Sequence, residues 1–492
     1  MRNFTCLFAL IVFGHAHGQF PTILEKDSLI VDFKLFRAVV EDLHPGLYRY
    51  EDRYSVLSDF EGSEAGFIKS RNIKEAFLSL HRATSKIQCG HTYPNYWNQE
   101  SAIRSELFEK ADKLPFTLKL LPNSIRIHKD LSGNAVKPSA TILNVNNIPV
   151  GTILDSLQNY RRIDGSNLAK FYEDFSVKGE GKYEAFDIIF PMLFPPVNGF
   201  YTLDITENGY ARSIKVAPIT RAERKEMLQQ KYGNIAVSPS ELWSTGFWQD
   251  SIARLNLKTF AVWNMDMDWR AYLKAFFKKA KDKGSTTLVL DLRGNEGGLM
   301  EVYWELFAYL TPKPLRLERD EQLVRYQSVK EAYRPYLETW DNTYFDRGST
   351  VKLKSLDFFE FSDPSLRYLN ISPSEYAFEG KIMVLIDAAN SSATYYLAKY
   401  LKENQLATLV GASTGGNVKG TNGGEFFMLK LPYTKLEVDI PLVGYYPRQS
   451  SSQDGGLQPD IQVDRNADYY FYRWNMDSDP DFSKVLEYLV EQ

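Results

Sequence analysis

The chain has 492 residues, of which 44% are hydrophobic and 24% charged, and a formal net charge of −4. That composition excludes a disordered, collagen-like or low-complexity polypeptide, and the length leads us to expect about three domains. The near balance of charge gives no footing to nucleic acid or an anionic membrane surface as a partner.

In chain order, the first segment reads as a targeting signal. "MRNFTCLFALIVFGHAHGQF" carries one arginine, a short apolar run, and the small residues Ala16 and Gly18. This predicts a secretory signal peptide over residues 1–18, cut after Gly18, and an exported protein, periplasmic or extracellular. No later stretch approaches the roughly 18 apolar residues a membrane span needs. Cys6 lies too early in the run for lipid attachment, and cleavage leaves Cys89 alone, so no intrachain disulfide is expected.

Residues 19–113 read as a helical region. "SLIVDFKLFRAVVEDLHPGLYRY" spaces Leu29, Phe33, Phe36, Val40 and Leu43 along one helical face until Pro45-Gly46 stops it. "NIKEAFLSLHRATSKI" repeats the pattern, and the turn "QCGHTYPNYW" follows. From 114 to 221 the period falls towards two, with turns at Pro-Asn, Asn-Asn and Asn-Gly. There "ATILNVNNIPVGTILDSL" resembles the strand, tight turn and helix of PDZ domains, without their glycine-rich carboxylate-binding loop. The expectation is a degenerate PDZ-like β module. Residues 222–492 alternate apolar strands and helices, as an α/β core covered on both faces would, with an insertion over it at about 313–380.

Two stretches of this last region could carry chemistry. "VLIDAANSSATYYLAKYLKEN" runs from strand through a small-residue turn into a helix that opens on Ser391 and Ser392. A hydroxyl there projects past the strand ends, and the free N–H groups of the helix start point at any oxyanion formed beside it. A helix cap, by Asn390 or Ser391, accounts for the same letters. "LVLDLRGNEGGLM" is a buried strand with a glycine-rich turn that lets backbone N–H groups approach a substrate. It matches neither the dinucleotide nor the P-loop pattern.

With "GGLQPDIQV" near the end, these blocks stand in the order of the S41 serine peptidases, the tail-specific or C-terminal processing proteases, which the chain resembles over about residues 250–465. The resemblance implies a ClpP/crotonase-like α/β core and peptide or unfolded protein as substrate. It places the nucleophile at Ser392 and an oxyanion hole at Ala393 and a glycine of Gly297-Gly298. Members with a Ser–Lys dyad carry lysine 25 residues after the serine, where this chain has Asn417, which cannot take the proton. Three readings stay open: Lys419 as the base from a shifted loop, an inactive secreted peptide-binding protein, or a histidine base as in the tricorn-like branch.

Beyond the signal segment the histidines are His44, His81, His91 and His128. His81 is expected exposed on its helix, His128 on a strand surface, and His44 as an imidazolium at a helix end. His91, in "CGHTYP", resembles the Gly-His-Thr turn of histidine-using members and is the expected general base; a satisfied turn histidine is the competing account. Asp454, in "SSQDGGLQPD", is the expected third member, with Asp291 and Glu296 as competitors and Asp291 better suited to fixing its turn through Arg293. No metal-ligand spacing occurs, so neither metal nor cofactor is expected. Cys89 is set aside as a nucleophile, because a thiol two residues from its base rarely has attack geometry.

Overall fold

The computed structural model describes residues 24–179, 183–233, 239–249, 251–449, 453–476 and 478–491. The expected signal peptide lies outside the described residues. Helices Lys26–Leu43, Arg53–Phe67, Ile73–Ser85 and Ser101–Leu107 form the first layer. The first buries Leu29, Phe33, Phe36, Val40 and Leu43, the face its spacing marks out. The third begins where the Asn72 side chain accepts the Glu75 N–H, satisfying one donor that the helix leaves unpaired.

Next comes an antiparallel sheet in the order 116–121, 124–130, 141–145, 201–207, 210–216, with Ile148–Pro149 paired to 141–145. Helices Val150–Gln158, Leu168–Asp174 and Ala185–Leu193 are inserted between its third and fourth long strands. A helix with a full capping box at Thr220 and Glu223, Arg221–Tyr232, leads out of it.

The third layer is a six-stranded sheet in the order 461–462, 408–411, 381–386, 287–291, 252–257, 243–248. It is parallel except for its last pair, and every residue of Thr287–Asp291 is buried. Helices Trp269–Asp282, Met300–Leu310, Ser392–Glu403 and Pro480–Val490 complete it. The segment at 313–380 is more than a cover. Its strands Glu321–Val324, Leu337–Glu338, Val351–Leu353 and Phe359–Phe361 join the long hairpin Thr421–Lys430/Glu437–Tyr446 in a third six-stranded sheet.

That hairpin binds the layers together. Phe427, Leu429, Val438 and Ile440 belong to the same buried apolar cluster as Phe33, Phe36 and Phe77 of the first helices and Ile142 and Leu203 of the β module. Among the described residues no helix is long and apolar enough to cross a membrane.

Three histidines differ from expectation. His81 is fully buried, bonding Tyr96 Oη through Nε2 at 3.0 Å, because it lies one helical turn after buried Phe77 on the same face. His44 is buried with both ring nitrogens engaged, by Thr92 Oγ1 at 2.8 Å and by the Gly46 N–H at 3.2 Å. Burial, then Arg49 and Arg325, pull its pKa down to about 3, so it is neutral and contributes no charge to the helix end. His128 is half-buried, its ring stacked on Trp474 at 4.4 Å.

Candidate active site

The strand Lys381–Ile386 delivers a tight loop that is sewn to the glycine-rich turn after Asp291. Asp387 accepts the N–H groups of Gly294 and Ala389, and Asn390 Nδ2 donates to Leu292 O and Asn295 O. Asn390 is therefore a loop tie. Ser391 occupies the N-cap position, yet its side chain makes no capping bond; Oγ lies 3.1 Å from Glu296 O instead.

Ser392 is different. It opens the helix with φ at 51°, the left-handed region that a side chain ordinarily avoids. The turn opposite leaves room for this conformation. A Cβ on Gly297 would sit 2.7 Å from Ser392 Cβ and 3.1 Å from Ala393 N, closer than contact allows. Gly297 itself has φ at 108° and donates its N–H to Asn295 Oδ1 at 2.9 Å. Its part is thus to leave a gap over the serine, with its donor already used. Gly298 is pressed on Phe260, whose carbonyl accepts from Leu299; the Gly298 N–H has no bond among the described residues. The Ala393 N–H, in the first helical turn, has no intrahelical acceptor.

His91 reaches this place from the other end of the chain. Its turn is fixed by the Thr92 N–H on Cys89 O at 3.3 Å and by the Gly90 N–H on Asp164 Oδ1 at 3.0 Å. His91 and Ser391 line one cavity of about 240 Å³, with Arg162, Lys170, Glu296, Phe426 and Asp439 among its walls. No hydrogen bond joins His91 to either serine, and its buried Nδ1 has no partner. Burial first, then Arg162 and Lys170, push the imidazole pKa down to about 4. His91 is neutral near pH 7, the state a proton acceptor requires.

The other candidate bases are less suited. Lys170 lies 2.8 Å from Asp174 and 4.0 Å from Glu296; although burial opposes its charge, these carboxylates hold its pKa above the usual lysine value. Half-buried Lys419 bonds through its backbone N–H to Asn417 Oδ1 and does not line the cavity. Burial raises the Cys89 thiol to about 11, in keeping with its rejection.

Asn417, at the position of the family lysine, is fully buried. Its Nδ2 donates to Asp164 O at 2.9 Å and to Asp454 Oδ1 at 2.7 Å, and Tyr395 Oη donates to its carbonyl. Asp454 also accepts the Ser166 N–H. The expected third member thus holds Asn417 and the 164–166 loop, and it does not touch the imidazole. Asp291 is bidentate on Arg293, as its turn-fixing role requires. Glu296 faces Lys170 from the cavity wall.

Sequence reasoning missed Arg162, Asp164, Lys170, Asp174 and Asp439. Asp439 had a signal: it is a carboxylate within the apolar run "VDIPLV" of a strand. It accepts from Asn95 and Asn98 at 2.6 and 2.8 Å, and burial, against those amides and Arg162, raises it to about 6. Lys170 and Asp174 stand four residues apart on a helix, which is no distinguishing mark. Among the described residues no cluster of His, Cys, Asp or Glu could hold a metal ion.

Residues 251–463 match the model of Peptidase family S41. That segment is similar to the S41 peptidases, and the chain is a serine-type peptidase, which acts on peptides or proteins. Among curated proteins no sequence matches. Of solved structures, mature CPAF complexed with lactacystin is 14% identical, covering 95% of this chain and 98% of that chain at a TM-score of 0.61. A second structure of mature CPAF is also 14% identical, covering 92% and 95% at a TM-score of 0.61. At that identity the likeness shows a shared fold.

Proposed function

We propose that the protein is an exported serine endopeptidase in which Ser392 is the nucleophile and His91 the general base. The carrying observation is that the His91 turn, far upstream in sequence, lines the same cavity as Ser391, the residue next to Ser392; Ser392 itself is not among the lining residues. The positive φ of Ser392 and the space left by Gly297 support the choice between the two serines.

In this reading Ser392 Oγ attacks the substrate carbonyl while its proton passes to neutral His91, through Nε2. The carbonyl oxygen becomes an anion facing the N–H groups of Ala393 and Gly298. His91 returns the proton to the leaving amine, and water then attacks the acyl-enzyme by the same path. Lys419 takes no part, and Asn417 is a structural tie in place of the dyad lysine. The histidine-using branch of the family fits this set of residues better than the Ser–Lys branch. The sheet and helices of 114–221 would be a degenerate PDZ-like module that helps to hold the His91 turn, and the residue 1–18 signal supports export.

Peptide turnover by single variants tests the reading. Ser392→Ala and His91→Ala should each lose activity by on the order of 10⁴-fold or more, while Lys419→Ala keeps it. A dead Lys419→Ala beside an active His91→Ala would reverse the assignment of the base. Peptide binding by a wild-type chain that cuts nothing would favour a peptide-binding protein that keeps the fold without turnover.

A further inference from the structure

The cavity has a second wall, made by residues that the chemistry above does not use. The strand Thr421–Lys430 is irregular between Gly423 and Phe426: Gly423 pairs with Val443, and pairing resumes at Phe426 with Pro441. Two residues, Gly424 and Glu425, thus stand opposite Leu442 alone, and a bulge of this kind re-aims the side chains that follow. Phe427 goes into the core, 4.8 Å from Phe345, and Phe426 goes to the cavity.

Phe426 lies between two rings. On its inner side is His91, at 5.7 Å between centroids; on its outer side is Trp340, also at 5.7 Å. Trp340 belongs to the 313–380 segment and is 64% exposed, with its ring packed against Phe426. An exposed indole packed on a second ring offers an apolar surface to a substrate side chain. The charged groups of the cavity have partners within it: Lys170 lies on Asp174 and near Glu296, Arg162 is 3.5 Å from Asp174 and over the Tyr93 ring, Asp164 takes the Gly90 N–H, and Asp439 takes Asn95 and Asn98. A charged substrate side chain finds its counter-charges taken, whereas an aromatic or aliphatic one finds open π faces leading to the base.

We propose that Phe426 and Trp340 form a subsite that selects an aromatic or large aliphatic side chain of the peptide beside the scissile bond. The inference rests on reading Ser392 and His91 as the catalytic pair. It adds a substrate class, and it assigns to the 313–380 segment the outer half of the recognition surface.

Two measurements on the full chain separate the subsite from the catalytic reading. In the first, a mixture of synthetic peptides is digested and the cut sites are read by mass spectrometry. Phe, Tyr and Leu should be enriched about tenfold or more at one fixed position from the cut. Trp340→Ala should remove most of that enrichment and Trp340→Phe should retain it. A digest in which peptides are cut without enrichment, or the same enrichment in both Trp340→Ala and Phe426→Ala, overturns the proposal. In the second, the Ser392→Ala chain is titrated with hexapeptide mixtures identical except for Phe or Asp at one position, scanned in turn. At one position the Phe set should bind about tenfold tighter; equal binding at every position overturns the subsite whatever the turnover. A wild-type chain that cuts nothing while Ser392→Ala keeps the Phe preference would sink the catalytic reading and uphold the subsite.

Discussion

At the scale of single residues, the two adjacent serines make the sharpest contrast. Ser391 has extended backbone and bonds to carbonyl oxygens; Ser392 is held in a left-handed conformation that costs roughly 1–2 kcal/mol for a residue with a side chain. Such strain persists only where the surroundings dictate it, here the ties of Asp387 and Asn390 on one side and Gly297 on the other. Ser391→Ala should keep most of the turnover that Ser392→Ala abolishes; the reverse result in a peptide assay would move the nucleophile by one residue. Gly297→Ala tests the space over the serine, since its methyl would stand 2.7 Å from Ser392 Cβ at a backbone angle that favours glycine. Turnover should fall by at least about a hundredfold, with the far-ultraviolet circular dichroism unchanged. The base has its own signature. With a pKa near 4, below the usual imidazole value, His91 stays neutral as pH falls from 7 to 5 and gains its proton only below that. Asp164 and Asp439, both raised to about 6, face the same cavity alongside Arg162, Lys170, Asp174 and Glu296, so a limb near 6 in the rate profile would not identify His91. Imidazole resonances assigned through His91→Gln should therefore be followed directly by NMR; a midpoint at or above 6.5 would contradict its burial-driven neutrality.

At the scale of elements, the loop 164–166 links the two halves of the site. It takes the Gly90 N–H on Asp164 Oδ1, gives the Gly165 N–H to Gln88 O, and is held from the core side by Asn417 and Asp454. Asn417→Leu keeps the volume but leaves the buried Asp164 carbonyl without that donor, at a cost of about 1–3 kcal/mol for an unpaired buried group. The expected result is a lower denaturation midpoint and a fall in kcat larger than the change in KM, because Asn417 lies outside the cavity and acts through the loop that orients the His91 turn. A variant with wild-type kcat would remove Asn417 from any positioning role. This clasp also marks where sequence reading stops. The parallel core was legible, because continuous apolar runs such as "TTLVLDLRG" and "KIMVLIDAA" allow little else, and so were the serine turn and the glycines facing it. The use of residues 313–380 was not: strands as short as Leu337–Glu338, paired with the long hairpin, and Val351–Leu353, paired with Phe359–Phe361, have no period to detect and exist only through their partners. Asp454 was read from its place beside a motif, whereas its partner is set by which loop packs on it, and packing of that kind has no signature in one sequence. His81, by contrast, was within reach, since its four-residue spacing from Phe77 places it on the buried face.

At the scale of the whole molecule, the peptidase-like core is not self-contained. The hairpin 421–446 contributes Phe427, Leu429, Val438 and Ile440 to an apolar cluster whose members include the first helices, the β module and Tyr326, Val329, Tyr333 and Leu337. Polar contacts cross the same boundary. Asp32 accepts the Tyr433 and Thr434 N–H groups and the Thr434 hydroxyl, Tyr333 Oη donates to Asp42 at 2.6 Å, and Tyr50 Oη donates to Gly420 O at 3.0 Å. Removing residues 1–221 would strip one face of the hairpin and also remove His91 and the 164–166 loop. A fragment of residues 222–492 should therefore be insoluble or lack a cooperative unfolding transition, and should hydrolyse no peptide. A gentler form of the test keeps the full chain and replaces Asp32 with alanine, which leaves the Tyr433 and Thr434 donors buried without their acceptor and should cost about 1–3 kcal/mol. The two variants separate folding from chemistry: Asp32→Ala should lower stability with kcat nearly intact, since Asp32 lies outside the cavity, whereas the fragment should lose both. A fragment that folds cooperatively and cleaves peptides at the full-chain rate would show that the base lies within residues 222–492, and His91 would then be only a structural residue of the cavity wall.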